Sequence, residues 1–133
     1  MMLDGFISLL KATPAVSVIV ADRVYKKVLP RGYSFPAIVV HRYGGTQDYE
    51  FAGPVGVRED QIQIDTYDSG DGEALASVVR TFLSAYTGTL PDGTIVQGCF
   101  LERDMDMPFL PNADTKGIAN RSTLGFRVVS ARV

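Results

Sequence analysis

Residues 43–67 read YGGTQDYEFAGPVGVREDQIQIDTY, and the reading of this stretch decides the fold. It holds four glycines and a proline, yet its second half alternates strictly. Ile62, Ile64 and Thr66 share one face of a strand, and Gln61, Gln63, Asp65 and Tyr67 share the other. One face is therefore expected to be covered and the other to be wet or to meet a partner. Gly53-Pro54-Val55-Gly56 suits a tight turn, with proline at its second position and glycine at its fourth. A hairpin centred there sets Tyr43 opposite Thr66, Tyr49 opposite Asp60 and Phe51 opposite Arg58. An arm running from Ala37 to Ala52 extends roughly 50 Å at the rise of a strand. A domain of this length has a diameter of only about 36 Å. The arm is therefore expected to bend at Gly44-Gly45 or to project beyond the core. A projecting hairpin is marginal by itself and needs a neighbour; the alternative is a disordered loop.

Working outward, Ala37–Tyr43 (AIVVHRY) is β-branched and reads as the strand that leads into the arm. On the far side, DSGDG at residues 68–72 breaks the strand and offers Ser69 or Asp71 as a helix cap. The helix that follows from Glu73 carries Leu75, Val78, Val79, Phe82, Leu83 and Tyr86, the stripe of a core-facing helix, with Gly88 as its stop. At the start, Leu3, Phe6, Ile7 and Leu10 mark a short amphipathic helix closed by Pro14. Residues 15–36 read ambiguously: Val16, Val18 and Val20 alternate, Asp22-Arg23-Val24-Tyr25 also reads as a short strand entering a loop, and Pro30, Gly32 and Pro36 mark that loop as irregular. After the LPDGT turn, residues 94–104 read as a strand bending at Gly98. Residues 121–133 (RSTLGFRVVSARV) form a closing strand, and residues 105–120 a polar connection between the two. No repeat or linker divides residues 1–133, so they form a single domain of α+β class: an antiparallel sheet with two helices packed on one face and a long projecting β-hairpin.

Composition narrows the function. Across 133 residues, 46% are hydrophobic and 21% charged, as in a globular domain, and the formal net charge is −2. That balance speaks against a protein whose main task is gripping nucleic acid, which needs clustered Lys and Arg. The N-terminus lacks a basic region ahead of its apolar residues, and no segment approaches the roughly 20 apolar residues of a spanning helix. With one cysteine, Cys99, no internal disulfide can form, and a cytosolic folding compartment is expected.

The chemistry-bearing residues read as structural. His41 sits in a strand without an accompanying nucleophile and carboxylate, and Cys99 lacks a histidine at any signature spacing. One His and one Cys do not make a zinc site. Asp68, Asp71 and Glu73 miss the EF-hand spacing and are explained by turn and cap. Asp104, Asp106 and Asp114 read as a solvated acidic loop, and Arg58, Arg103, Arg121, Arg127 and Arg132 are scattered, without a phosphate-binding motif. The expectation is a protein with no catalytic residues, no cofactor and no metal.

The order of motifs resembles the tail-completion family of long-tailed bacteriophages, also described as tail-terminator or head–tail joining proteins. The resemblance rests on Pro36-Ala37 before the strand, Gly45-Thr46 with Asp48-Tyr49, Gly53-Pro54 with Gly56, and Gln63-Ile64-Asp65. It spans nearly the whole chain and is weakest over residues 107–120. It implies a structural virion protein, made in the bacterial host cytoplasm, whose subunits form a ring, commonly a hexamer. Such a ring caps the tail tube and docks it to the head connector, while DNA passes through the lumen without sequence-specific binding. By this resemblance, contacts with neighbouring subunits, the tail-tube protein or head connector proteins fall to the hairpin residues Thr46, Asp48, Tyr49, Phe51, Pro54, Val55, Arg58 and Glu59. No membrane partner is implied. The rival reading is a monomeric binding module or small enzyme acting on a cellular ligand, which requires a concave pocket with convergent polar groups.

Overall fold

Two long hairpins lie side by side to make the sheet. A computed structural model describes residues 2–28, 36–50, 53–69, 73–109 and 119–131. In chain order the elements are α1 (Met2–Ala12), α2 (Pro14–Val20), β1 (Val24–Lys26), β2 (Ala37–Glu50), β3 (Gly53–Ser69), α3 (Glu73–Leu83), β4 (Gly88–Thr89), β5 (Ile95–Phe109) and β6 (Ala119–Ala131). The six strands are ordered β1-β2-β3-β6-β5-β4, so the fold is mixed α+β. Hairpin β2/β3 and hairpin β5/β6 join through β3 and β6, which pair antiparallel from Val57↔Ala131 to Ser69↔Ala119. The sheet is not wholly antiparallel: β1 runs parallel to β2, with Val24 beside Ile38.

Period-2 alternation fixes the core face. Ile38 and Val40 on β2, Ile62 and Ile64 on β3, and Leu124, Phe126 and Val128 on β6 are all buried. They join Leu3, Phe6, Leu10, Val16, Val20, Leu75, Val79 and Leu83 of the helices in one apolar cluster. Burying each such side chain stabilises the fold by about 1.5–3 kcal/mol before chain entropy is counted.

Three helices are described where two are expected from the sequence. Residues 14–20 are helical because Pro14 lacks an N–H and sits at the first helical position, where none is needed. Thr13 closes α1 by donating its hydroxyl to the Leu9 carbonyl (2.7 Å), and the axis turns by 86° between the two helices. No single helix among the described residues is long and apolar enough to cross a membrane. Helix α3 ends at Leu83, short of the Gly88 stop read from the sequence. Ala85 takes a positive φ of 63° there and donates its N–H to the Cys99 carbonyl (2.8 Å), while Gly88 serves in β4. Residues 105–109, read from the sequence as connection, continue β5.

The register of the first hairpin also departs from the sequence reading. Thr66 faces Ile38, Asp60 faces Gly45, Arg58 faces Gln47, and Tyr49 faces Pro54. Glu50 pairs with Gly53, so Gly53–Gly56 lie in β3 and are not the turn read from the sequence. The register shifts between Arg42 and Gly44 and again between Gln47 and Tyr49. These bulges insert residues that simple alternation does not count, and the first lies one residue before the expected bend at Gly44-Gly45.

Candidate functional site

Arg58 and Glu59, on opposite faces of β3, are the two expected contact residues whose side chains are described. Arg58 Nε lies 3.2 Å from Asp60 Oδ2, and Arg42 Nε lies 2.7 Å from Asp60 Oδ1. The buried Asp60 carboxylate thus ties β2 to the root of the hairpin on the core face. Gly45 leaves room for this pair: a Cβ there would fall on the Asp60 carboxylate and the Arg42 guanidinium and displace them. On the other face, Arg127 Nη1 donates to Glu59 Oε1 (2.7 Å), and its Nε lies 3.4 Å from Glu102 Oε2. The Glu59 hydrogen bond leads in raising the Arg127 pKa, with charge from both carboxylates adding to it and desolvation opposing. Thr46, Asp48, Tyr49, Pro54 and Val55 lie in the distal strands, with Asp48 at the second bulge. Phe51 lies outside the described residues.

The face away from the core cluster is the least legible in the sequence. The wet side expected for Gln61, Gln63, Asp65 and Tyr67 holds for Gln61, but Asp65 and Tyr67 are buried. Asp65 accepts hydrogen bonds from Gln63 Nε2 (3.0 Å), Thr123 Oγ1 (2.9 Å) and Arg121 Nη2 (3.1 Å), and His41 Nε2 is 3.7 Å away. Thr123 is buried, so the hydroxyl that it gives to the carboxylate is closed to solvent. Guanidiniums cover aromatic rings across the same face: Arg103 over Tyr43 at 5.4 Å, Arg121 over Tyr67 at 5.8 Å and Arg127 over Phe100 at 4.8 Å. Tyr43, Phe100 and Met105 are each more than 40% exposed here. Arginine interleaved with exposed aromatic and methionine side chains is the composition of a protein-contact surface. The signal that sequence reading misses is register: Tyr43 is far in sequence from Phe100 and Met105, and those two, five residues apart on β5, share a face only through the bulge after Leu101.

Among the described residues no group of three or more His, Cys, Asp or Glu is placed to hold a metal ion. Cys99 is buried against the core, and burial pushes its thiol up to about 12. A raised acid pKa favours the neutral thiol. This contribution to stability is full below the unfolded value near 9 and is lost as pH climbs from there through about 12. At pH 8 a thiol-specific dye is therefore expected to leave the native chain unlabelled for hours and to react within minutes in urea. Fast labelling of the native chain would show that Cys99 is accessible.

Residues 6–129 match the family described as tail completion protein gp17. A solved chain from the virion of a native gene transfer agent (GTA) particle has a similar fold, with a TM-score of 0.64 at 19% identity. The alignment covers 93% of this chain and 90% of that one. No curated protein matches the sequence.

Proposed function

The chain belongs to the tail completion protein gp17 family, and from that premise we propose that it forms a ring that ends the phage tail tube and joins it to the head connector. Membership makes it a structural protein of the phage tail and a component of the virion. The family match over residues 6–129 carries the proposal. Ring formation, commonly as a hexamer, and contact with tube and connector are the parts to be tested. A ring of a chain with net charge −2 suits DNA that must slide through without being held.

The joining arm in this reading is the distal part of hairpin β2/β3. Pairing of β3 with β6 begins at Val57, so residues 53–56 have no β6 partner among the described residues. The test is to replace residues 47–57 with a two-residue Asn-Gly turn. The melting temperature is expected to fall by no more than a few degrees, because the strand pairs that carry the buried side chains, Ala37↔Tyr67 to Arg42↔Ile62, lie outside the replaced segment. Phage that rely on the shortened chain are expected to accumulate full heads and unjoined tails, seen by electron microscopy. Normal titre with normally joined particles would overturn the assignment of the arm. Normal joining after deletion of the whole gene would overturn the function.

A further inference from the structure

We propose that neighbouring subunits join by strand addition, the outer edge of β5 from Leu101 to Phe109 pairing antiparallel with the outer edge of β2 from Arg42 to Glu50 in the next copy. The inference rests on the ring reading and names the contact that builds the ring.

Each sheet edge is capped over only half its length. On one side β1 ends its pairing at Val40, whose carbonyl also takes the Lys27 N–H (2.9 Å). On the other side β4 covers Ile95 and Val96, and the Ala85 N–H takes the Cys99 carbonyl. Beyond these points no strand among the described residues pairs with the outer edge of either hairpin. Residues 102–106 are exposed in an unbroken run, as an uncovered edge requires. Counting alternation outward from Val40 and Cys99, and through the bulges after Arg42 and Leu101, turns the backbone groups of Gly45 and Gln47 outward on β2. The same count turns those of Asp104 and Asp106 outward on β5. Unpaired backbone edges of this kind are templates for another strand.

Polarity and charge select the partner. β2, β3, β6 and β5 alternate in direction, so β5 is antiparallel to β2. A second copy in the same orientation therefore brings its β2 edge against β5 with antiparallel sense and without being turned over. Such a contact is head-to-tail, and on repetition it makes a ring when the rotation between copies closes. Self-pairing of β5 would set Glu102, Asp104 and Asp106 against the same carboxylates, which is unfavourable. By sequence the β2 edge from Arg42 to Glu50 carries one arginine and two carboxylates, Asp48 and Glu50, a net −1 against −2 for residues 101–109. It is therefore a less acidic partner for β5 than β5 itself, and Gly44 and Gly45 let backbones approach.

The stagger also fits closure. The centre of the free β2 edge, Thr46, is level with Glu59, and the centre of the free β5 edge, Met105, is level with Asp65 through Thr123. Along β3 that offset is about 20 Å, and the four strands β2, β3, β6 and β5 repeat across about 19 Å. Matching the two edges needs strands tilted by about 45° to the ring axis, at the upper end of the range in closed barrels.

The test uses phage particles assembled with the variant chain and a short bis-maleimide cross-linker. Gly44→Cys has space, since a Cβ at that position would meet only Gln61 Oε1 within 4 Å, at 3.8 Å. Met105 is exposed on the same sheet face. Cys99 is buried and stays silent. The chain carrying both G44C and M105C is expected to give a ladder of multimers ending at the ring, and either single variant only monomer. Dimers from M105C alone would overturn the proposal in favour of a two-fold contact. A ring visible in the particles without cross-links would overturn it while leaving the ring intact. Particles without a ring would remove both.

Discussion

Replacing Asp65 with alanine is expected to cost the fold about 3 kcal/mol, measured as a lower urea midpoint at unchanged slope. The carboxylate accepts from Arg121, Thr123 and Gln63, and hydrogen bonds to a charged group contribute about 1.5–3 kcal/mol each. The sum is not the cost, because Arg121 and Gln63 are only half-buried and recover water when their acceptor is lost. Thr123 cannot: it is buried, and its hydroxyl would be left unsatisfied at about 1–3 kcal/mol. Removing one member of a buried ion pair reaches about 3–5 kcal/mol when the remaining charge is sealed in, so partial exposure of Arg121 sets the expectation at the lower bound. Asp65→Asn keeps an acceptor for Thr123 and loses the charge, and should cost about half as much. A midpoint for Asp65→Ala within about 1 kcal/mol of the parent would mean that the network is held by water and not by the carboxylate.

The same residue shows where sequence reading stops. The alternation in QIQIDTY places Ile62 and Ile64 on the core face, and the stripe Leu75, Val79, Leu83 places α3 over it, because burial of that face depends on local period alone. The same rule assigns Asp65 to a wet face. It is buried because Arg121 and Thr123, 56 and 58 residues away, come back on β6 to satisfy it, and no local pattern carries that distance. Hairpin register escapes the sequence for a related reason. Gly53-Pro54-Val55-Gly56 has good turn chemistry, but the core pairs Ile38↔Thr66 and Val40↔Ile64 fix the pairing, and bulges absorb the difference. The sheet edges are hidden too. That β1 and β4 cover only the ends of β2 and β5 follows from pairing lengths, not from the composition of any segment.

Phe126→Ala is expected to destabilise the chain by about 3–5 kcal/mol, the range for truncating a buried aromatic. Phe126 is fully buried on β6, paired with Ile62 on β3 and Leu101 on β5, so it sits where the two hairpins meet. Alanine leaves a cavity that strands tied on both sides cannot close by shifting, since a slip of one residue would turn Leu124 and Val128 away from the core. A domain of this size holds about 5–15 kcal/mol in all, so the substitution removes a large part of the margin. Phe126→Leu keeps more of the volume and should cost less than half as much. The variant also separates two ways of losing a tail. Phe126→Ala should weaken joining together with a clearly lowered melting temperature, whereas shortening residues 47–57 should abolish joining with the melt intact. If Phe126→Ala kept the parental melting temperature, the junction of the hairpins would not be the core of this fold, and the arm could no longer be treated as separable from the body that carries it.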